Sequence, residues 1–133
     1  MSAFADISAA LDELTSELGL PTAWENRDFE PTNDTLYLRP TLLPATTEPS
    51  GLPDSDEHSG IYQVDVIAPM GSGKGEAIEK ADIVANQFKR GKIITHNGVN
   101  VWVLSVSRGV GGRDGSWYIL PVQISYKAYT DIR

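Results

Sequence analysis

Apolar residues at Phe4, Ile7, Leu11, Leu14 and Leu18 recur at spacings of three and four, with Asp6, Asp12, Glu13 and Glu17 between them. That is the stripe of an amphipathic helix. Gly19 and Pro21 end it, as a C-terminal glycine followed by a proline commonly does. Residues 20–34 are mixed and polar, with Trp24 and Phe29 as apolar exceptions, and residues 35–43 read as a strand in which Pro40 predicts an edge or a bulge. Residues 44–60 hold Pro44, Pro49, Pro53, Gly51 and Gly60, carry Glu48, Asp54, Asp56 and Glu57, and contain no Lys or Arg. This composition predicts a long exposed loop. Structureless loops beyond roughly 12–15 residues are uncommon inside compact domains, so it is either ordered on a partner or a plain flexible insertion.

Beyond the loop the period changes to two. Residues 61–68 place Tyr62, Val64 and Val66 on one face and Gln63 and Asp65 on the other, and Pro69 closes the strand. Residues 71–75, GSGKG, turn into a second helix whose core face is expected from Ile78, Ala81, Ala85 and Phe88, with Val84 beside it. Glu76 and Glu79 in its first turn and Lys89, Arg90 and Lys92 at its end complement the helix dipole, and Gly91 is the expected cap. Glu76 and Lys80, four residues apart, read as a surface ion pair.

Residues 93–95 and 99–106 flank Asn97-Gly98, the dipeptide suited to a type I′ turn, and so form an antiparallel hairpin. Residues 107–115, SRGVGGRDG, read as a second glycine-rich loop before a last strand at 116–128. There Tyr118, Leu120, Val122, Ile124 and Tyr126 alternate with the polar Gln123, Ser125 and Lys127. The element order predicts an α+β fold, a mainly antiparallel sheet of about five strands with two helices packed on one face and the long loop between the first and second strands.

With 133 residues, 41% of them hydrophobic, the chain is expected to be a single domain spanning 1–133 with a packed core. No apolar run approaches the roughly 18 residues of a membrane span, and the start of the chain lacks signal-peptide character, so a protein that stays inside the cell making it is expected. With no cysteine, disulfide scaffolds, thiolate metal sites and cysteine nucleophiles are excluded. A net charge of −7 argues against a nucleic-acid binder that works through a basic surface. The charge is uneven: residues 1–60 hold twelve acidic residues against Arg27 and Arg39, whereas residues 61–133 hold nine basic and six acidic ones. Opposite potentials on different surfaces suit a head-to-tail contact between identical copies; ordinary solvated charge is the plainer reading.

Candidate catalytic chemistry is thin. GSGKG sits where a phosphate-binding loop would, but Ala68 and Gly75 stand where such a loop needs a glycine and a hydroxyl residue, so Lys74 and its glycines read as a flexible connection. His58 and His96 have no evident catalytic partner. Asp54, Asp56, Glu57 and His58 lack the turn glycine and distal glutamate of an EF-hand, so no catalytic residue, metal site or cofactor is expected. Arg108 and Arg113 in the second glycine-rich loop suit either a partner's carboxylate or simple solubility. Trp117 and Tyr118 are expected in the core or on a sheet face.

Three segments carry a family resemblance: Gly60-Ile61-Tyr62-Gln63-Val64-Asp65-Val66, the glycine-rich turn into the helix that ends near Phe88 and Gly91, and Trp117-Tyr118-Ile119-Leu120-Pro121-Val122-Gln123-Ile124-Ser125-Tyr126. Together they resemble the tail terminator proteins of long-tailed bacteriophages, over residues 60–128 by motif and over the whole chain by element order. These are packing motifs; the first helix and long loop match by position only. The resemblance implies a non-catalytic subunit, assembled in the bacterial host cytoplasm into a homohexameric ring at the head-proximal end of the virion tail. Such a ring caps the tail tube, ends its polymerisation and offers a surface to the head-tail connector protein. Its partners would be further copies of itself, the major tail tube protein and the connector, with DNA passing through without specific binding and no membrane involved. On that reading Asp54, Asp56, Glu57, Arg108 and Arg113 are the expected subunit or partner contacts. The alternative of another class is a head-completion or neck adaptor; a nucleotide-binding enzyme using Lys74 is the third.

Overall fold

The computed structural model describes residues 3–31, 35–49, 55–71 and 75–131. Its elements run α1 (Ala3–Ser16), β1 (Tyr37–Pro49), β2 (Ser55–Pro69), α2 (Gly75–Gln87), β3 (Ile93–His96), β4 (Val99–Arg108), β5 (Gly112–Asp114) and β6 (Trp117–Asp131). All strand pairs are antiparallel in the order β1-β2-β6-β4-β3, and β5 continues the β4 side of β6. The α+β architecture expected from the sequence is therefore present, with β5 added.

Both helices bury their apolar stripes on one face of the sheet. Ile7, Leu11 and Leu14 of α1 and Ala77, Ala81, Val84 and Phe88 at α2 pack against Tyr62, Val64, Val66, Val101, Val103, Val122 and Ile124. The period of two in β2 and β6 sets that face, and each wholly buried valine or isoleucine contributes about 1.5–3 kcal/mol of transfer free energy. Gln87 of α2 donates from Nε2 to the Leu14 carbonyl at 2.9 Å, satisfying one of the backbone acceptors that the end of α1 leaves open. Asn97 and Gly98 have φ of 50° and 82°, the left-handed pair of a type I′ turn.

Three expectations change in detail. The α2 stripe is rotated from the expected one: Ala77 is buried, Ala85 is half-buried and Ile78 is 41% exposed. Alanine at positions 77 and 81 lets the helix sit close to the sheet, and the bulkier isoleucine turns outward. Phe4, the first member of the α1 stripe, is 48% exposed. Lys80 reaches Glu79 at 4.0 Å and makes no pair with Glu76.

Of residues 44–60, expected as one long loop, those on either side of 50–54 belong to strands. β1 and β2 continue past the core as a two-stranded ribbon, with Thr46 opposite Ser59, Thr47 opposite His58, Glu48 opposite Glu57 and Pro49 opposite Asp56. A register shift between Pro44 and Thr46 supplies the bulge, and residues 50–54 lie outside the described residues. Prolines are tolerated because β1 is the sheet edge, where every second N–H points away from β2. Leu38 and Leu42 hold such outward positions: the Leu38 N–H donates to the Pro21 carbonyl at 2.9 Å, and the Leu42 N–H donates to Glu25 Oε1 at 2.8 Å. Pro40 and Pro44 share that parity and have no N–H to leave open.

The second glycine-rich segment is likewise mostly paired. β4 reaches Arg108, the Gly109 N–H donates to the Pro121 carbonyl at 2.8 Å, and Gly112, Arg113 and Asp114 pair with Ile119, Tyr118 and Trp117. The long β6 has free backbone groups beyond the end of β4, and these residues satisfy them.

Candidate functional site

The surfaces follow from how the sheet is covered. Helices shield one face, leaving the other lined by side chains that alternate with the core. On that open face Arg39 donates from Nε and Nη2 to Asp65 Oδ2 at 3.3 and 3.0 Å, Gln63 donates to Asp65 Oδ1 at 2.9 Å, and Gln123 donates to Gln63 Oε1 at 3.0 Å. This chain of side chains spans β1, β2 and β6 and satisfies a carboxylate that is only 8% exposed. Trp117 packs edge-on to Tyr37, with ring centroids 5.4 Å apart.

The residues expected to make contacts separate into two groups. Asp56 and Glu57 lie on β2 opposite Thr130 and Tyr129, whereas Arg113 lies on β5 opposite Tyr118. Twelve residues of β6 separate Thr130 from Tyr118, about 40 Å at the rise of an antiparallel strand. Acidic ribbon and arginine end thus occupy opposite ends of the sheet and do not meet within the subunit. Glu57 is held by Lys127 Nζ at 3.2 Å and by the Tyr129 hydroxyl at 3.1 Å, and Arg108 pairs with Asp82 of α2. Asp56 and Arg113 have no ion pair among the described residues. Asp54 and Lys74 lie outside the described residues.

Two further surfaces escaped the sequence reading. An open groove of about 610 Å³ lies between α1 and residues 24–27. Phe4, Trp24 and Leu42 give it apolar walls, and Asp12, Glu13 and Glu25 make it acidic, with Arg27 as the basic member. Tyr62 donates its hydroxyl proton to Asp12 Oδ1 at 2.7 Å; burial is the main cause that raises the Asp12 pKa from 3.8, the Tyr62 hydrogen bond opposing it. Glu13 is 3.6 Å from His96 Nδ1.

The second surface lies across the sheet. Ile93, Trp102 and Leu104 are 56%, 42% and 43% exposed around a shallow hollow of about 310 Å³ that Arg90 also lines. Trp102 stands edge-on to Tyr129 at 5.7 Å, and Leu104 is the extra residue where the β4 register shifts against β6. The sequence held one signal for this surface: from Val101 to Val106 both parities of β4 carry apolar residues, so the strand offers apolar side chains to both faces.

Among the described residues no group of three or more His, Asp or Glu could hold a metal ion, and no helix is long and apolar enough to cross a membrane. No curated protein matches the sequence. One solved structure, 26% identical, superposes with a TM-score of 0.79 over 96% of each chain. The family model for the phage tail terminator protein matches residues 4–126, which takes in both helices and the sheet through most of β6. The chain therefore belongs to the phage tail terminator family and is a structural component of the virion tail.

Proposed function

We propose that this protein caps the tail tube, ends its polymerisation and forms the joining surface for the head, working as a ring of identical copies, six in number. Family membership supports a role in tail assembly, and the separation of charge along β6 carries the finer reading. A part seated between a tube and a connector needs two different ends. Here the Asp56 and Glu57 ribbon lies about 40 Å from Arg113 and about 27 Å from Arg108 along the strands. These residues are the proposed neighbour or partner contacts. A single subunit of this length has a radius of gyration of about 14 Å and cannot surround a DNA duplex, so several copies are needed for DNA to pass. A predominantly acidic subunit suits that passage, because attraction to phosphate would retain the DNA.

The test is negative-stain imaging of tail tubes with and without the protein, with tube lengths measured. Density at one end and a fixed length support the reading. Bare ends and unregulated lengths overturn it and point to a head-side adaptor.

A further inference from the structure

The acidic groove and the Trp102 surface have matching character and opposite sign. The groove offers Phe4, Trp24 and Leu42 with three carboxylates against the single Arg27. The other surface offers Ile93, Trp102 and Leu104 beside Lys89, Arg90 and Lys92, all exposed and with no ion pair among the described residues. Their places in the sheet are opposite too. Leu42 lies on β1 and Ile93 on β3, the two lateral edges of the β1-β2-β6-β4-β3 order. Four strand spacings separate those edges, about 19 Å. The groove opens beside α1, on the helix side, whereas Trp102 projects from the parity opposite the core residues Val101 and Val103.

We infer that the groove of one copy receives the Lys89 to Lys92 turn and the Trp102 corner of a second copy. A contact between different patches on opposite edges is heterologous, the kind that closes into a ring when the rotation permits. Burial of Trp102 and Phe4 supplies apolar area, and the carboxylates and basic residues set register and partner choice. The contact runs across the strands. It therefore leaves the two strand ends, with Asp56 and Arg113, facing along the ring axis for tube and connector. This assignment rests on the ring reading above and says which surfaces close the ring.

Charge-reversed variants on each side provide the test, read by sedimentation velocity at low salt and by ring density on tail tubes. Glu13→Lys/Glu25→Gln changes the groove while keeping an acceptor for the Leu42 N–H; Lys89→Glu/Arg90→Glu changes the other surface. Each variant alone is expected to lose at least tenfold in self-association. A one-to-one mixture is expected to recover to within about threefold of the natural protein, because in an alternating ring every contact again joins opposite charges. Trp102→Ser, which alters an exposed side chain, is expected to weaken assembly without lowering the melting temperature. Variants that assemble as well as the natural protein, or singly impaired variants whose mixture fails to recover, overturn the surface assignment and leave the ring reading standing. A natural protein that neither self-associates nor caps tubes overturns the ring reading and this inference with it.

Discussion

Tyr62 reaches from the middle of β2 to α1, where its hydroxyl lies 2.7 Å from Asp12 Oδ1 and 2.9 Å from Thr15 Oγ1. Since its one proton goes to Asp12, the phenol oxygen accepts from Thr15, and the ring is wholly buried against Phe88 at 5.6 Å. Burial, followed by the neighbouring Asp12 charge, pushes its ionisation far above the ordinary phenol range. Helix and sheet are thereby locked in one register by a side chain whose partner Asp12 lines the acidic groove.

Tyr62→Phe keeps the ring and removes both hydrogen bonds. A loss of about 1–2 kcal/mol is expected in urea unfolding, at the modest end for a buried network because the Thr15 hydroxyl can turn its proton to the Leu11 carbonyl 3.1 Å away. An unchanged midpoint would mean that ring packing alone fixes α1.

The Asp12 carboxyl gives a pH signature. Its pKa is raised in the folded protein, so folding favours the protonated acid, and this group's contribution falls as pH rises from the unfolded value of 3.8 through the higher folded value. Asp12→Asn removes that titration but keeps an acceptor for Tyr62. The stability of the natural protein relative to the variant should be greater at pH 3.5 than at pH 7; a constant difference would contradict the assignment.

On the open face, Arg39→Ala leaves the Asp65 carboxylate with only Gln63. Since Arg39 is 46% exposed and Asp65 8%, solvent screens part of the pair, and a cost of about 1–2 kcal/mol is expected. In a double-mutant cycle with Asp65→Ala the coupling should be about 1 kcal/mol. Zero coupling would make the Arg39 contact incidental.

Gly60 in β2 is enclosed: an added Cβ would stand 2.6 Å from the Tyr126 hydroxyl and 2.7 Å from the Leu43 carbonyl oxygen. Gly60→Ala should cost about 1–3 kcal/mol, since the Leu43 contact is backbone and gives way only if the ribbon shifts. Gly75→Ala, where nothing lies within 4 Å of the new carbon, is the control and should stay within about 0.5 kcal/mol.

Asp56 and Arg113 permit the cleanest test of the strand ends, because Glu57 and Arg108 are already engaged by Lys127 and Asp82. Asp56→Lys and Arg113→Glu should each leave stability within about 0.5 kcal/mol while weakening assembly on tubes most strongly at low salt. Equal capping at low salt would remove both residues from the contacts.

Much of the architecture was legible in the chain because two periodicities dominate it. Ile7, Leu11 and Leu14 mark one helix, Tyr62, Val64 and Val66 mark a central strand, and Asn97-Gly98 marks the hairpin whose left-handed φ angles the structure contains. The rotation of α2 was not legible, because Ile78 and Ala77 are adjacent and only the closeness of the sheet selects the smaller one. Nor was the pairing of residues 44–49 and 55–60: their prolines and acids resemble a loop until β1 is known to be the edge and β6 long enough to carry the ribbon.

The site shows the same division. Local pattern and charge identified the acidic and arginine-bearing segments, and the sequence segments around Gly60 and Trp117 carried the family resemblance. Which charges stand alone was settled by strand register, which sets Glu57 beside Lys127 while leaving Asp56 without an ion pair among the described residues. Register also sets the acidic ribbon about 40 Å from Arg113. The groove gathers Phe4, Trp24 and Leu42 from three segments, and the opposite surface unites Arg90 with Trp102. Periodicity is a property of neighbours along the chain, so the sequence by itself determined the helices, the core strands and, α2 apart, their buried faces. Surfaces are made by residues distant in sequence, so the tertiary structure alone decided what those elements present to a partner.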